Sequence, residues 1–141
     1  MTAKEYLSRI RSIDFQIRCK EKQLEDARDL QGSVRAFDYS GVKVKTSPHG
    51  DANINLALDI MALEKDLAEK KYELQKAKAK LIEEIGGLDN EIHVELLTLR
   101  YCDLAPFEAI ALDMHMSYDR IRHLHGEALR SFQNKYLVSA S

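Results

Sequence analysis

The sequence predicts an all-α fold, and its composition and apolar spacing both point that way. The 141-residue chain has only two prolines and six glycines, whereas β-rich folds use many turn residues. Charged residues make up 31% of the chain, and leucine and isoleucine recur throughout it. This combination is typical of long exposed helices rather than of a disordered chain.

The first predicted helix runs from Thr2 to Leu30. Its apolar side follows 4-3-4-3 steps that one lysine interrupts, which is a heptad-like pattern: Tyr6, Ile10, Ile13, Ile17, Lys20, Leu24 and Ala27. Gly32 and Ser33 are expected to end this helix. The stretch that follows mixes alternating apolar residues with glycine and proline, so a loop is predicted over 31–52.

A second long helix is predicted from Asp51, a suitable N-cap, to about Ile85. It repeats the 4-3 pattern through Leu56, Ile60, Leu63, Leu67, Lys70, Leu74, Ala77 and Leu81. Two helices with matching apolar sides predict a long antiparallel, coiled-coil-like hairpin over 1–87. Each apolar side is narrow, so a homodimer or a higher oligomer formed through the hairpin stays open.

Gly86 and Gly87 are a strong stop signal, and they predict a separate C-terminal unit over 88–141. Asp89 is expected to cap its first helix. Pro106 is placed as the first residue of a second, short helix, "PFEAIALDM".

His115 and Met116 separate this short helix from the last one, for which Ser117 is a good N-cap. The last helix has one apolar side, made by Ile121, Leu124, Ala128 and Phe132. A short helix, a tight turn and a capped second helix are the pattern of a helix-turn-helix. The C-terminal unit is therefore predicted to be trihelical.

The stretch "VELLTLRYCDLAPFEAIALDMHMSYDRIRHLHGEALRSF" resembles region 4 of the sigma-70 family of transcription initiation factors. With "GDANINLALDIMALEKDL" before it, the layout also looks like small phage and prophage proteins of Gram-positive bacteria. These include the ArpU- and RinA-type late-gene transcription regulators. This sequence departs from the sigma pattern at His115, where glycine is usual, and at Ala105, where a capping residue is usual.

The resemblance implies a DNA-reading site on the last helix. In this resemblance Ser117 is the cap at the start of the site. Base contacts are assigned to Tyr118, Asp119, Arg122 and His123, and phosphate contacts to Arg120 and Arg130. The chemistry agrees, since arginine pairs bidentately with guanine and aspartate accepts from the cytosine amino group. Over 117–135 basic residues exceed acidic ones by four to two, so one copy is expected to bind DNA weakly.

The histidines raise the alternative of a metal site, which their spacing disfavours. His123 and His125 lie two residues apart, about 200° around a helix, so they cannot share an ion. The sequence has no C-x-x-C or H-x-x-x-H pair to join His93, His115 or Cys102. It also has no phosphate-binding glycine loop or nucleophile elbow, so no metal, no cofactor and no enzymatic activity are expected.

Two distant cysteines and a charged start without a long apolar segment lead to the expectation of a cytoplasmic protein without a membrane segment, and the resemblance implies a bacterial host. The resemblance implies a phage or prophage transcription regulator that binds double-stranded promoter or operator DNA and acts on late genes with host RNA polymerase. Two alternatives remain open. One is a small-terminase-like subunit for DNA recognition in packaging, and the other is an adaptor that binds protein without contacting DNA.

Overall fold

The computed structural model describes residues 1–39 and 48–137, with the side chains of 34–39 and 48–52 outside that description. All regular secondary structure in this part of the chain is helical, as predicted. The helices are α1 (Ala3–Leu7), α2 (Arg9–Tyr39), α3 (Pro48–Gly86), α4 (Glu91–Leu97), α5 (Phe107–Met114) and α6 (Tyr118–Phe132). A π-helical turn extends α4 over Thr98–Cys102, and another extends α6 over Gln133–Leu137. None of the described helices is both long enough and apolar enough to cross a membrane.

The first predicted helix is divided into α1 and α2. Thr2 caps α1 in a reciprocal pair: its Oγ1 accepts from the Glu5 N–H at 3.2 Å, and the Glu5 carboxylate accepts from the Thr2 N–H at 3.0 Å. Ser8 then separates the two helices. The predicted stop at Gly32 is wrong, because α2 continues to Tyr39. A glycine costs a helix only about 1 kcal/mol, too little to end a long one.

The predicted loop over 31–52 is too long at both ends. Residues 31–39 belong to α2 and residues 48–52 to α3, while residues 40–47 lie outside the described residues. Asp51 is therefore inside α3 and is not its N-cap. The helix begins at Pro48, in the first turn, where the N–H that proline lacks has no intrahelical partner.

The chain forms two compact units, one of residues 1–13 and 74–141, the other of residues 14–73. The predicted boundary between residues 87 and 88 stays a prediction. The beginning of the chain packs on its C-terminal part: the Ala3 N–H donates to Gln133 Oε1 at 2.7 Å, and the Tyr6 and Phe132 rings lie 5.8 Å apart. Both ends of the chain therefore belong to one unit.

In the unit of residues 14–73, α2 and α3 run in opposite directions. Arg28 pairs with Glu64 at 3.0 Å, whereas the earlier Glu21 pairs with the later Lys71 at 3.5 Å. These ion pairs are exposed, and such pairs contribute at most about 1 kcal/mol each. Burial of the apolar side chains between the helices contributes more: Ile17, Leu24, Ile60 and Leu67.

The C-terminal helices of the other unit enclose a small core of Leu96, Ile110, Ala111, Ile121 and Leu124. The predicted apolar side of the last helix is confirmed, because Ile121, Leu124, Ala128 and Phe132 are all buried. The cap of α4 is Asn90 and not Asp89: Asn90 Oδ1 accepts from the Ile92 N–H at 2.9 Å. This core sets the orientation of α5 and α6.

Candidate nucleic-acid interface

The turn between α5 and α6 depends on a left-handed residue. His115 has φ 54° and ψ 46°, the conformation for which glycine is usual. The Met116 N–H donates to the Ala111 carbonyl at 3.0 Å, and the His115 N–H donates to the Leu112 carbonyl at 3.3 Å. These bonds satisfy the end of α5, and His115 adopts the left-handed conformation of this turn although it is not glycine.

The start of α5 is displaced by one residue from its predicted position. Pro106, at φ −71° and ψ 157°, is the residue before the helix, which begins at Phe107. No side-chain hydrogen bond caps this end. Burial of Ile110 and Ala111 fixes α5 instead.

Ser117 is the N-cap of α6, as predicted. Its backbone is extended, at φ −70° and ψ 156°, and its Oγ accepts from the Arg120 N–H at 3.2 Å. This bond satisfies one of the free N–H groups of the first turn. The cap therefore defines where α6 begins and which residues occupy its first turns.

The seven sequence-predicted site residues are all exposed: Ser117, Tyr118, Asp119, Arg120, Arg122, His123 and Arg130. At about 100° per residue, Asp119, His123 and Arg130 share one line along α6, opposite the buried Ala128. Tyr118 and Arg122 form a neighbouring line. The structure thus brings five of these residues onto one solvent-facing side of α6, with Arg130 further along the helix than the other four. Arg120 lies about 200° around the helix from Tyr118 and from Arg122 and is not on that side, and Ser117 is the cap before the helix.

Tyr118 is held by aromatic contacts at the start of this side. The Tyr118 ring meets the Phe107 ring edge-on, with 6.3 Å between their centroids. The Arg122 guanidinium carbon lies 5.9 Å from the centre of the Tyr118 ring. The Arg100 guanidinium carbon lies 4.1 Å from the centre of the Phe107 ring, on which it packs. A series of cation–π and ring contacts therefore runs from Arg100 through Phe107 to Tyr118 and Arg122, and it restrains the last two side chains.

Glu127, which was not among the predicted site residues, lies beside His123. Its Oε1 lies 3.1 Å from His123 Nε2, one helical turn away, and its Oε2 lies 3.9 Å from His93 Nε2. His93 is buried, and its Nε2 has no hydrogen-bond partner. The four-residue spacing of His123 and Glu127 is the signal that would have indicated this pair.

His125, to which the sequence analysis assigns no role, belongs to the support of this surface. Its Nε2 lies 2.7 Å from Tyr101 Oη, and its ring meets the Phe107 ring edge-on at 4.9 Å. Burial, together with the positive charges of Arg100 and Lys4, lowers the pKa of His125 to about 4. Burial also raises the pKa of Tyr101 to about 12, so both groups are neutral near pH 7.

A cleft of about 460 Å³ lies at the other end of α6. Its polar lining includes Asp89, Ser131, Asn134 and Lys135, with charges of both signs. In the part of the chain that the structure describes, no group of three or more histidine, cysteine, aspartate or glutamate residues could hold a metal ion. The α6 surface is thus the strongest candidate for a functional site.

No protein-family model, no curated protein and no solved structure matches this chain.

Proposed function

We propose that this protein is a sequence-specific DNA-binding transcription regulator, with α5, the turn at His115 and α6 acting as a helix-turn-helix. One observation carries the proposal. The four predicted base-reading residues all lie exposed at the beginning of α6, on the side away from its core contacts. A recognition helix enters the major groove with its N-terminal residues foremost, so this is the side that base contacts require.

In this proposal α6 lies in the major groove, and each exposed side chain has a chemical role. Arg122 donates two hydrogen bonds to a guanine, and Asp119 accepts from a cytosine amino group. Tyr118 and His123 donate to base edges or to the backbone. Arg120 and Arg130 neutralise phosphates, and Ser117 fixes the start of the helix that positions them.

Glu127 gives His123 a second role in the proposal. The carboxylate lies 3.1 Å from His123 Nε2 and therefore orients the ring on the exposed side. It also places a negative charge close to the DNA, which opposes binding to phosphates. Binding through this side therefore relies on base contacts as well as on the net charge.

The modest excess of basic residues around α6 requires a second linked contact for tight binding. The resemblance to sigma region 4 and to phage late-gene regulators suggests host RNA polymerase as that contact. Two linked contacts raise the overall affinity through effective concentration. The proposed role is regulation of phage or prophage late genes in the cytoplasm of a bacterial host, without a catalytic step.

The test begins with selection of bound duplexes from random-sequence double-stranded DNA by the full chain. Fluorescence anisotropy on the selected duplex then compares the wild type with Arg122→Ala, and with Arg11→Ala as a control at an exposed arginine outside α6. Loss of a bidentate base contact should weaken binding about 5- to 150-fold. The control should stay within about twofold of the wild type.

Salt titration distinguishes the two kinds of arginine. Arg130→Ala removes a phosphate contact, so it should lower the slope of log affinity against log salt by about 1. Failure to select any duplex, or indifference to both α6 changes, contradicts the proposal. Capture of RNA polymerase without any DNA binding would instead support the adaptor alternative.

A further inference from the structure

α3 carries a second apolar stripe, the outer stripe, made of Ile54, Leu58, Met61, Lys65, Ala68 and Tyr72. These residues follow 4-3-4-3-4 steps, so they share one side of the helix. Leu58 lies about 200° around α3 from the buried Ile60, two residues later. The outer stripe therefore lies on the opposite side of α3 from the residues that pack on α2.

The outer stripe is exposed along its whole length. Ile54 is 60% exposed, Leu58 56%, Met61 64% and Tyr72 67%. The described part of α2 has no comparable stripe, since its large exposed apolar residues, Phe15 and Leu30, lie about 22 Å apart along the helix. A row of side chains over about 27 Å of helix that is apolar at five of its six positions is typical of a protein interface.

We propose that the outer stripe binds the outer stripe of a second copy of this chain, with the two α3 helices antiparallel. A two-fold axis beside Asp66 and Leu67 places Met61 opposite Tyr72 of the second copy. The same axis places Lys65 of each copy opposite Ala68 of the other copy. A thioether packs favourably against an aromatic ring, and the small Ala68 leaves room for the aliphatic part of Lys65.

The charges beside the stripe select this orientation. In the antiparallel register Glu64 faces Lys71 of the second copy, and the symmetry repeats that pair. A parallel pair would instead place Lys65 against Lys65 and Glu64 against Glu69, which are like charges. Glu64 and Lys71 pair with Arg28 and Glu21 in their own chain, but their side chains are 49% and 56% exposed, so a second partner can reach them.

This self-association does not depend on DNA binding by α6. The contact between the two outer stripes lies within residues 61–72, and its formation can be measured without DNA. If both proposals hold, each dimer presents two copies of α6, which supplies a linked second contact to DNA.

The test is sedimentation equilibrium of the full chain at micromolar concentrations without DNA. The wild type should be dimeric. Met61→Glu should weaken dimerisation by about 100-fold or more, since it would bury a charge against Tyr72 of the second copy. Leu30→Glu is the matched control, because Leu30 is 55% exposed but lies on α2, and it should leave the dimer intact.

Cysteine cross-linking tests the orientation, in a Cys19→Ser background that removes the exposed native thiol. A Met61→Cys chain should cross-link to a Tyr72→Cys chain, and neither should cross-link to its own kind. A monomeric wild type, or a dimer that Met61→Glu does not weaken, overturns the proposed interface. Self-cross-linking of Met61→Cys overturns the antiparallel orientation.

Discussion

α6 and the part of α3 between Ile54 and Tyr72 differ in what they expose. Each helix buries one apolar side, but the other side of α6 is polar and charged, whereas the other side of α3 is apolar. A charged exposed side at a capped helix start suits a nucleic acid, and an apolar exposed stripe suits another protein. The exposed sides of α6 and α3, rather than their buried sides, therefore distinguish the proposed functions of the two helices.

The largest expected effect concerns the buried side of α6. Phe132 is fully buried and contacts the Tyr6 and Tyr136 rings, so Phe132→Ala should lower the free energy of unfolding by about 3–5 kcal/mol. Urea denaturation measures this loss. Leu112→Ala, at a residue that is 78% exposed, is the control and should change stability by less than about 0.5 kcal/mol. Equal losses would mean that the assignment of buried and exposed sides is wrong.

The second effect is a pH dependence from His125, beneath the polar side. The unfolded chain takes up a proton near pH 6.5, whereas the folded chain does so only near pH 4. Stability from this group is therefore present above pH 6.5 and is lost as the pH falls from 6.5 to 4. Solvent screening of the half-buried ring reduces the loss to roughly 1–2 kcal/mol.

Urea denaturation at pH 7 and pH 4.5 measures this dependence, with His125→Gln as the comparison. The variant lacks the titrating ring, so its stability should fall less than that of the wild type over this range. Equal pH dependence in the two proteins would remove His125 as the source.

A smaller effect is expected at the cap of α6. Ser117→Ala removes the bond from the Arg120 N–H and should cost about 1 kcal/mol. Thermal unfolding followed by circular dichroism measures the loss. Ser12→Ala, inside α2, is the control, since alanine is a better helix former than serine and that change should not destabilise the chain. A cost at Ser12 as large as that at Ser117 would argue against a specific cap.

The smallest expected effect is a change in the free energy of unfolding that has opposite signs at two histidines. His115→Gly relieves the left-handed conformation and should stabilise the chain by about 0.5–1 kcal/mol. His123→Gly, in the middle of α6, should destabilise it by a similar amount because glycine is a poor helix former. Destabilisation by both changes would contradict the left-handed turn at His115.

The sequence predicts the helices well where the apolar spacing is regular and the caps are strong. Ser117 and the buried side of α6 follow from such local signals. The predicted helix end at Gly32 is wrong because a single glycine is a weak stop in a long helix. The predicted cap at Asp51 is wrong because aspartate is also common within the first turn of a helix. Local signals cannot reveal that Ala3 and Tyr6 pack on the end of α6, since that contact joins residues about 130 positions apart.

The site was predictable in part. Resemblance and helical spacing select Tyr118, Arg122 and His123, and the structure shows that these side chains are exposed. The support of this surface was not predicted, because Arg100, Phe107 and His125 come from three separate segments and meet only in the folded chain. The outer stripe of α3 was also not predicted, although its 4-3 spacing is visible in the sequence. The 4-3 pattern of the buried side chains is sufficient by itself to predict the helix.

The most direct test of the central claim is a specificity profile. The wild type and Arg122→Ala would be titrated, by anisotropy, against every single-base-pair variant of the selected duplex. If Arg122 reads a base, the variant protein loses discrimination at one base pair, by about 5- to 150-fold, and keeps it at the others. Identical profiles for the two proteins would contradict the assignment of α6 as the DNA-reading helix.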